Sequence, residues 1–133
     1  MLNAGADQAL IRGGSLQDAL GDNAVDVVID LVGGENWPDL LHTLRPFGRY
    51  AVSGAIAGPI VELDLRTLYL KDQRFFGCTV LEDEVFARLV RLIEQGEIKP
   101  LLARSFPSES LSEAQAFFLD KQFTGKLVID MAL

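Results

Sequence analysis

Between Val25 and Val32 the chain reads Val-Asp-Val-Val-Ile-Asp-Leu-Val and then meets a glycine pair, Gly33-Gly34. A short run of Val and Ile with so little polar alternation suits a strand covered by helices on both faces, as in a parallel α/β sheet. Glycines just past the carboxyl end of such a strand leave the backbone room to approach a ligand. The pattern then recurs: a second strand over 49–53 runs into Ser53-Gly54-Ala55-Ile56-Ala57-Gly58. Asp26 and Asp30, at the margins of the apolar run, read as strand-end or hydrogen-bonded carboxylates rather than an acid/base pair.

Local signals place the remaining elements. Residues 9–11 are expected to form a short strand and 15–20 a helical turn, with Ser15 as cap and Asp18 three residues on. Asn36 is expected to cap a helix that aligns Trp37, Leu40, Leu41 and Leu44 on one face and stops at Pro46. His42 falls in this helix and reads as a surface histidine. Asp64 caps a short helix through Leu70, and 75–81 reads as a third strand. The next helix carries Phe86, Leu89, Val90 and Ile93 as a buried stripe, a Glu84–Arg88 pair outside, and Gly96 as its stop. Ser110 and Glu113 form a capping box for a helix to about Asp120, and 127–131 is a last strand. Strands alternating with helices predict a parallel α/β sheet in a single domain, 1–133.

Composition narrows the function. With 49% apolar residues and a formal charge of -7, the chain is globular and acidic, which argues against a nucleic-acid partner. No apolar stretch reaches the roughly twenty residues of a membrane span, and no signal-peptide pattern opens the sequence, so a cytoplasmic location is expected. One cysteine and one histidine exclude an internal disulfide and the usual three-ligand catalytic zinc set.

Several short segments, in order, carry a resemblance. These are Gly5-Ala6-Asp7; residues 25–30 with Gly33-Gly34; Leu44 to Arg49 leading into Val52-Ser53-Gly54; Phe75-Phe76-Gly77-Cys78; Leu92 to Gly96 with Pro100; Leu111 to Ala114; and Thr124 to Val128. Together they resemble the medium-chain dehydrogenase/reductase superfamily, the zinc-type alcohol dehydrogenases and quinone oxidoreductases. The likeness covers the later part of the family's cofactor domain and its C-terminal return. No G-x-G-x-x-G occurs in these residues. The expected fold is therefore a partial Rossmann-like parallel sheet with flanking helices, lacking the first strands and the phosphate-binding turn. In that order, strand 25–32 would lie beside the family's first strand and 9–11 beside its second.

The resemblance implies a cofactor wall. Gly33 and Gly34 correspond to a loop beside the nicotinamide-side ribose, and a turn needing positive φ before a helix cap is a compatible reading of the same pair. Ser53, Gly54 and Ala55 correspond to a loop that approaches the nicotinamide ring, and Phe76, Gly77 and Cys78 to one that contacts its carboxamide. Cys78 by itself reads as a small buried hydrophobe on a strand. Lys126, after Gly125, reaches the cofactor region in some quinone-reductase-like members; a solvated lysine at a strand start is the other reading. NAD or NADP is the implied cofactor of the intact enzyme.

Two functions are thus expected. In the first, the chain is the C-terminal portion of an NAD(P)(H)-dependent oxidoreductase, supplying one wall of the cofactor cleft and inactive in isolation. In the second, it is a non-catalytic half-Rossmann module that survives by oligomerising. Both predict self-association through strand edges, because an unpaired apolar strand exposes a row of N–H and C=O groups. Weak or absent binding of the cofactor to the chain alone is expected as well.

Overall fold

The computed structural model describes residues 5–11 and 13–131, which fall into two compact units divided between Val80 and Leu81. In the first unit a helix α1 (Leu16–Leu20) precedes β1 (Val25–Asp30), α2 (Trp37–Thr43), β2 (Leu44–Val52), α3 (Leu65–Leu70) and β3 (Arg74–Gly77). The strands form one parallel sheet in the order β1-β2-β3. Val28, Tyr50 and Phe75 stand side by side across the ladder. Their face carries the core, where Trp37 and Leu41 of α2 and Leu44 at the start of β2 pack against Tyr50 with Val25, Val28 and Phe75 beside them. Trp37 meets the rings of Tyr50 and Phe75 edge-on at 5.8 and 5.9 Å, the geometry that ring quadrupoles favour.

Caps explain where the helices begin. Ser15 is extended, and its hydroxyl accepts from the Asp18 amide at 3.1 Å, as the sequence implies. Asp64 caps α3 by accepting from the Arg66 amide; the Arg66 guanidinium also grips this carboxylate and holds its pKa down to about 2. Asn36 departs from expectation. Its ψ of 3° puts the side chain out of capping geometry, which needs extended backbone, and a Trp37 amide bond to the Gly34 carbonyl closes the turn instead.

The end of α2 also differs from the sequence reading. The helix stops at Thr43, before Pro46, and β2 starts at once with an irregular stretch: Leu44 pairs with Val25, but the next partner is Arg49 with Val27. Phe47 within this stretch has φ +62°, and the regular ladder begins at Arg49, where the sequence placed the strand. The last carbonyls of α2 are received from far along the chain. Lys71 Nζ donates to the carbonyls of Leu41, His42 and Leu44, and buried Gln73 Nε2 donates to those of Leu41 and Leu44.

The strand expected over 25–32 ends at Asp30, where the chain turns toward the glycine pair, and two other strand expectations differ. Residues 9–11 are irregular rather than a strand, since no neighbouring strand stands beside them among the described residues. β3 ends at Gly77, so 78–81 leaves the sheet; β2 ends at Val52, and its carbonyl takes the Cys78 amide as the last bond.

In the second unit, α4 (Asp83–Glu94) is followed by β4 (Leu102–Pro107), α5 (Leu111–Asp120) and β5 (Lys126–Asp130), with β4 and β5 parallel. Phe106 and Ala114 are its buried residues, and Phe106, Phe117 and Phe123 form an aromatic chain. β4 escaped the sequence reading because Arg104, Ser105 and Pro107 dilute its pattern. Gly96, at φ +74°, follows α4 as expected. The expected burial of Phe86, Leu89, Val90 and Ile93 does not occur: each is at least 36% exposed, because β4, α5 and β5 do not pack along this helix. Glu84 and Arg88 form no ion pair. Nor does Ser110 cap α5. A 3-10 turn over Ser108–Ser110 leads directly into the helix, and Glu113 pairs with Arg104 at 2.9 Å instead of closing a box.

Candidate functional site

Three loops leave the carboxyl ends of β1, β2 and β3, and backbone hydrogen bonds tie the first two together. Ser53 N donates to Asp30 O at 2.9 Å, Ala57 N to Val32 O at 2.9 Å, and Gly34 N to Gly58 O at 3.1 Å, while Gly33 and Gly58 form an isolated parallel bridge. Glycine is required where the first two loops touch. Gly33 and Gly34 have φ of +61° and +83°, and a Cβ on Gly33 would lie 2.8 Å from the Gly58 carbonyl oxygen. Gly54 is equally tight, its Cβ position 2.8 Å from Leu31 O.

Asp30 fastens the first loop from below. Its Oδ1 accepts from the Val32 and Gly33 amides at 2.8 and 3.0 Å, and its Oδ2 accepts from the Tyr50 hydroxyl at 2.7 Å. Burial by itself would raise the carboxyl pKa, but the bonds from Gly33, Val32 and Tyr50 prevail and hold it below the ordinary range. The same burial, with the hydrogen bond to Asp30, pushes the Tyr50 phenol up to about 12. Tyr50 is thus a neutral donor locked onto Asp30. The sequence marked Asp30 as a hydrogen-bonded carboxylate without disclosing this task; an acidic residue ending a strand just before a glycine pair was the available signal.

The laced loops and the sheet enclose a cavity of about 290 Å3, lined by Gly33, Trp37, Tyr50, Ala55, Gly58, Phe75, Phe76 and Gly77, among others. Its wall is mostly carbon, with backbone groups at the glycines, and suits a flat group of low polarity. Gly77 borders open space, for nothing lies within 4 Å of where its Cβ would stand. Of the residues singled out from sequence, Gly33, Ala55, Phe76 and Gly77 line the cavity. Gly34, Ser53, Gly54 and Cys78 brace the loops behind it through the contacts above. Trp37, Tyr50, Phe75 and Gly58 were not anticipated, because core aromatics and a glycine before Pro59 carry no distinct signal of their own.

Cys78 is exposed, not the buried hydrophobe its surroundings suggested, since the chain leaves the sheet at that point; its Sγ lies 3.9 Å from Phe76 O. Lys126 belongs to the second unit, where it opens β5 with an exposed side chain and donates its amide to Leu101 O at 2.8 Å. The preceding Gly125 allows that approach: a Cβ there would stand 2.6 Å from Leu101 O. Among the described residues no group of three or more His, Cys, Asp or Glu is placed to hold a metal ion, and no helix is long and apolar enough to cross a membrane.

Comparison with known proteins agrees with this architecture. The profile of the family described as "Zinc-binding dehydrogenase" matches residues 4–129. Quinone oxidoreductase-like protein 2 of Bos taurus is 28% identical over 131 residues, covering 89% of this chain and 38% of that protein. A candidate alcohol dehydrogenase from Sinorhizobium meliloti 1021 superposes with a TM-score of 0.80 at 46% identity, over 97% of this chain and 38% of that one. Crotonyl-CoA carboxylase/reductase AntE, solved in complex with NADP, superposes at 0.70 with 25% identity, over 85% and 28%. The chain therefore spans between a quarter and two fifths of the length of these relatives. With a profile match over nearly its whole length and a parallel α/β fold shared with alcohol dehydrogenases, the chain belongs to the zinc-binding dehydrogenase family of the medium-chain dehydrogenase/reductase superfamily.

Proposed function

We infer that this chain supplies one wall of the nicotinamide end of the cofactor cleft in an NAD(P)(H)-dependent oxidoreductase of the alcohol dehydrogenase or quinone reductase type. The observation that carries the reading is the apolar cavity at the carboxyl ends of three parallel strands, closed by glycine loops that Asp30 and Tyr50 hold in place. Ligands of open α/β sheets bind at that end of the strands. The fit is to one end of a dinucleotide. Gly33, Ala55 and Gly77 offer backbone to a flat ring and its amide, whereas no G-x-G-x-x-G turn is present to hold a pyrophosphate.

When bound, the nicotinamide would supply or accept the hydride for a carbonyl, alcohol or activated alkene. The residues here would orient the ring and keep water from one of its faces. They would not move a proton at neutral pH, because the one titratable side chain in the wall, Tyr50, is held neutral. For the chain by itself we expect dissociation constants above about 1 mM for NAD(H) and NADP(H), less than roughly 4 kcal/mol of binding.

Backbone amide NMR during titration with NADH and NADPH tests both parts. Shifts confined to the loops around Gly33, Ala55 and Gly77, still unsaturated at millimolar ligand, are expected. Shifts confined to other surfaces would remove the cavity from consideration, and micromolar saturation would overturn the expectation of weak binding.

A further inference from the structure

At the opposite end of the same sheet, β2 and β3 place two arginines side by side. Arg49 and Arg74 are Cα partners in the parallel ladder, so their side chains leave the same face of strands about 4.8 Å apart. The next pair along, Tyr50 and Phe75, turns to the Trp37 face. Strand alternation therefore sends both arginines to the other face. Like charges directly opposite across a ladder repel, and among the described residues neither guanidinium has a carboxylate partner.

These two side chains line a depression of about 300 Å3 together with Arg45, Asp26 and Phe47. Arg45 is ion-paired with Asp26. Three arginines against one aspartate leave two positive charges in excess, within a chain whose formal charge is -7. Phe47 stands at the rim with 70% of its surface exposed. Its φ of +62° is costly for an aromatic residue, and its amide is held there by the Lys71 carbonyl at 2.7 Å. The depression thus combines an unmatched pair of guanidinium forks with a fixed, solvent-facing ring.

We propose that this depression binds the dianionic phosphoryl group of a small phosphate monoester. Guanidinium forks match phosphate oxygens in shape and charge. Two excess positive charges balance a dianion, while a single carboxylate would leave one of them unmatched. The Phe47 ring would cover the apolar or aromatic carrier attached to the ester. A polynucleotide would instead meet the acidic remainder of the surface. The site lies at the amino ends of the strands, away from the glycine loops, and stands independently of the proposed cofactor wall.

Titration calorimetry of the full chain with inorganic phosphate and with phenyl phosphate, at about 0.15 M chloride to screen unspecific attraction, tests the proposal. Both probes are expected to saturate, phenyl phosphate several-fold more tightly. Arg49→Gln and Arg74→Gln should each weaken both by about tenfold, or ~1.4 kcal/mol. Phe47→Asn, which suits the left-handed backbone, should abolish the preference for phenyl phosphate, so that the two probes bind alike. No saturable binding of either probe below about 10 mM, or binding indifferent to both arginine substitutions, overturns the site. Equal binding of the two probes to the unmodified chain assigns it to free phosphate and overturns the monoester.

Discussion

Replacing Tyr50 by Phe removes one hydroxyl and leaves the ring that packs against Trp37 and Phe75. The lost contact is the 2.7 Å bond to Asp30 Oδ2. Both residues are buried, with 3% and 5% of their surfaces exposed, so water does not readily replace the phenol. A hydrogen bond to a charged group contributes about 1.5–3 kcal/mol, and Tyr50→Phe should cost an amount in that range. Asp30→Ala should cost more, because it orphans the Val32 and Gly33 amides as well as the hydroxyl. The double variant should fall short of the sum, with a coupling of about 1 kcal/mol or more. Urea unfolding followed by the fluorescence of Trp37, the one tryptophan, reports on this unit directly. The pH dependence supplies a second check. Asp30 has a lowered pKa in the fold, so its contribution is complete above its ordinary value of 3.8 and is lost as pH falls through the lower folded value. Tyr50 is raised from 10.0 to about 12, so its contribution is complete below pH 10 and is lost as pH rises through that window, in which Tyr50→Phe should lose less stability than the parent. If Tyr50→Phe lies within about 0.5 kcal/mol of the parent and behaves identically above pH 10, the phenol does not hold the carboxylate.

Two further outcomes follow from geometry. Gly33→Ala should destabilise by at least ~1–2 kcal/mol through its left-handed backbone alone, and more through the 2.8 Å approach to Gly58 O; Gly77→Ala, which meets open space, should stay within about 0.5 kcal/mol. The same urea titration separates the two, and equal effects would contradict the loop geometry. The sheet order leaves β1 and β3 as its edges, and we propose self-association through them, with a second copy as the occupant. Light scattering after size exclusion at micromolar concentration should show a dimer or larger species, reduced by Ile29→Lys on the exposed side of β1; a monomer throughout would refute it.

Legibility from sequence followed the kind of signal each element carried. β1 was plain because its apolar run is dense, and α1 and α3 because Ser15 and Asp64 cap by local hydrogen bonds that need no tertiary partner. The regular part of β2 was placed correctly, whereas its irregular start around Phe47 depends on a bond to Lys71 O that spacing cannot reveal. α4 shows the converse limit: its periodicity is strong, yet periodicity says which face is apolar and not whether anything covers it. At the site, glycines announced the loops because only glycine tolerates their backbone. The aromatic wall did not announce itself, since Trp37 and Phe75 look the same in a core as beside a ligand.

Lys71 and Gln73 give the first unit a particular order of events. α2 has seven residues, too few to persist alone, and the groups that close its last turn lie about thirty positions downstream. During synthesis, a chain that has emerged only as far as β2 would carry a frayed α2 and an unfinished Trp37 cluster. The helix is expected to become durable only when the 71–73 segment docks, with α2, β2 and β3 maturing in one step rather than in sequence. Such dependence on distant contacts slows folding relative to a helix that caps itself.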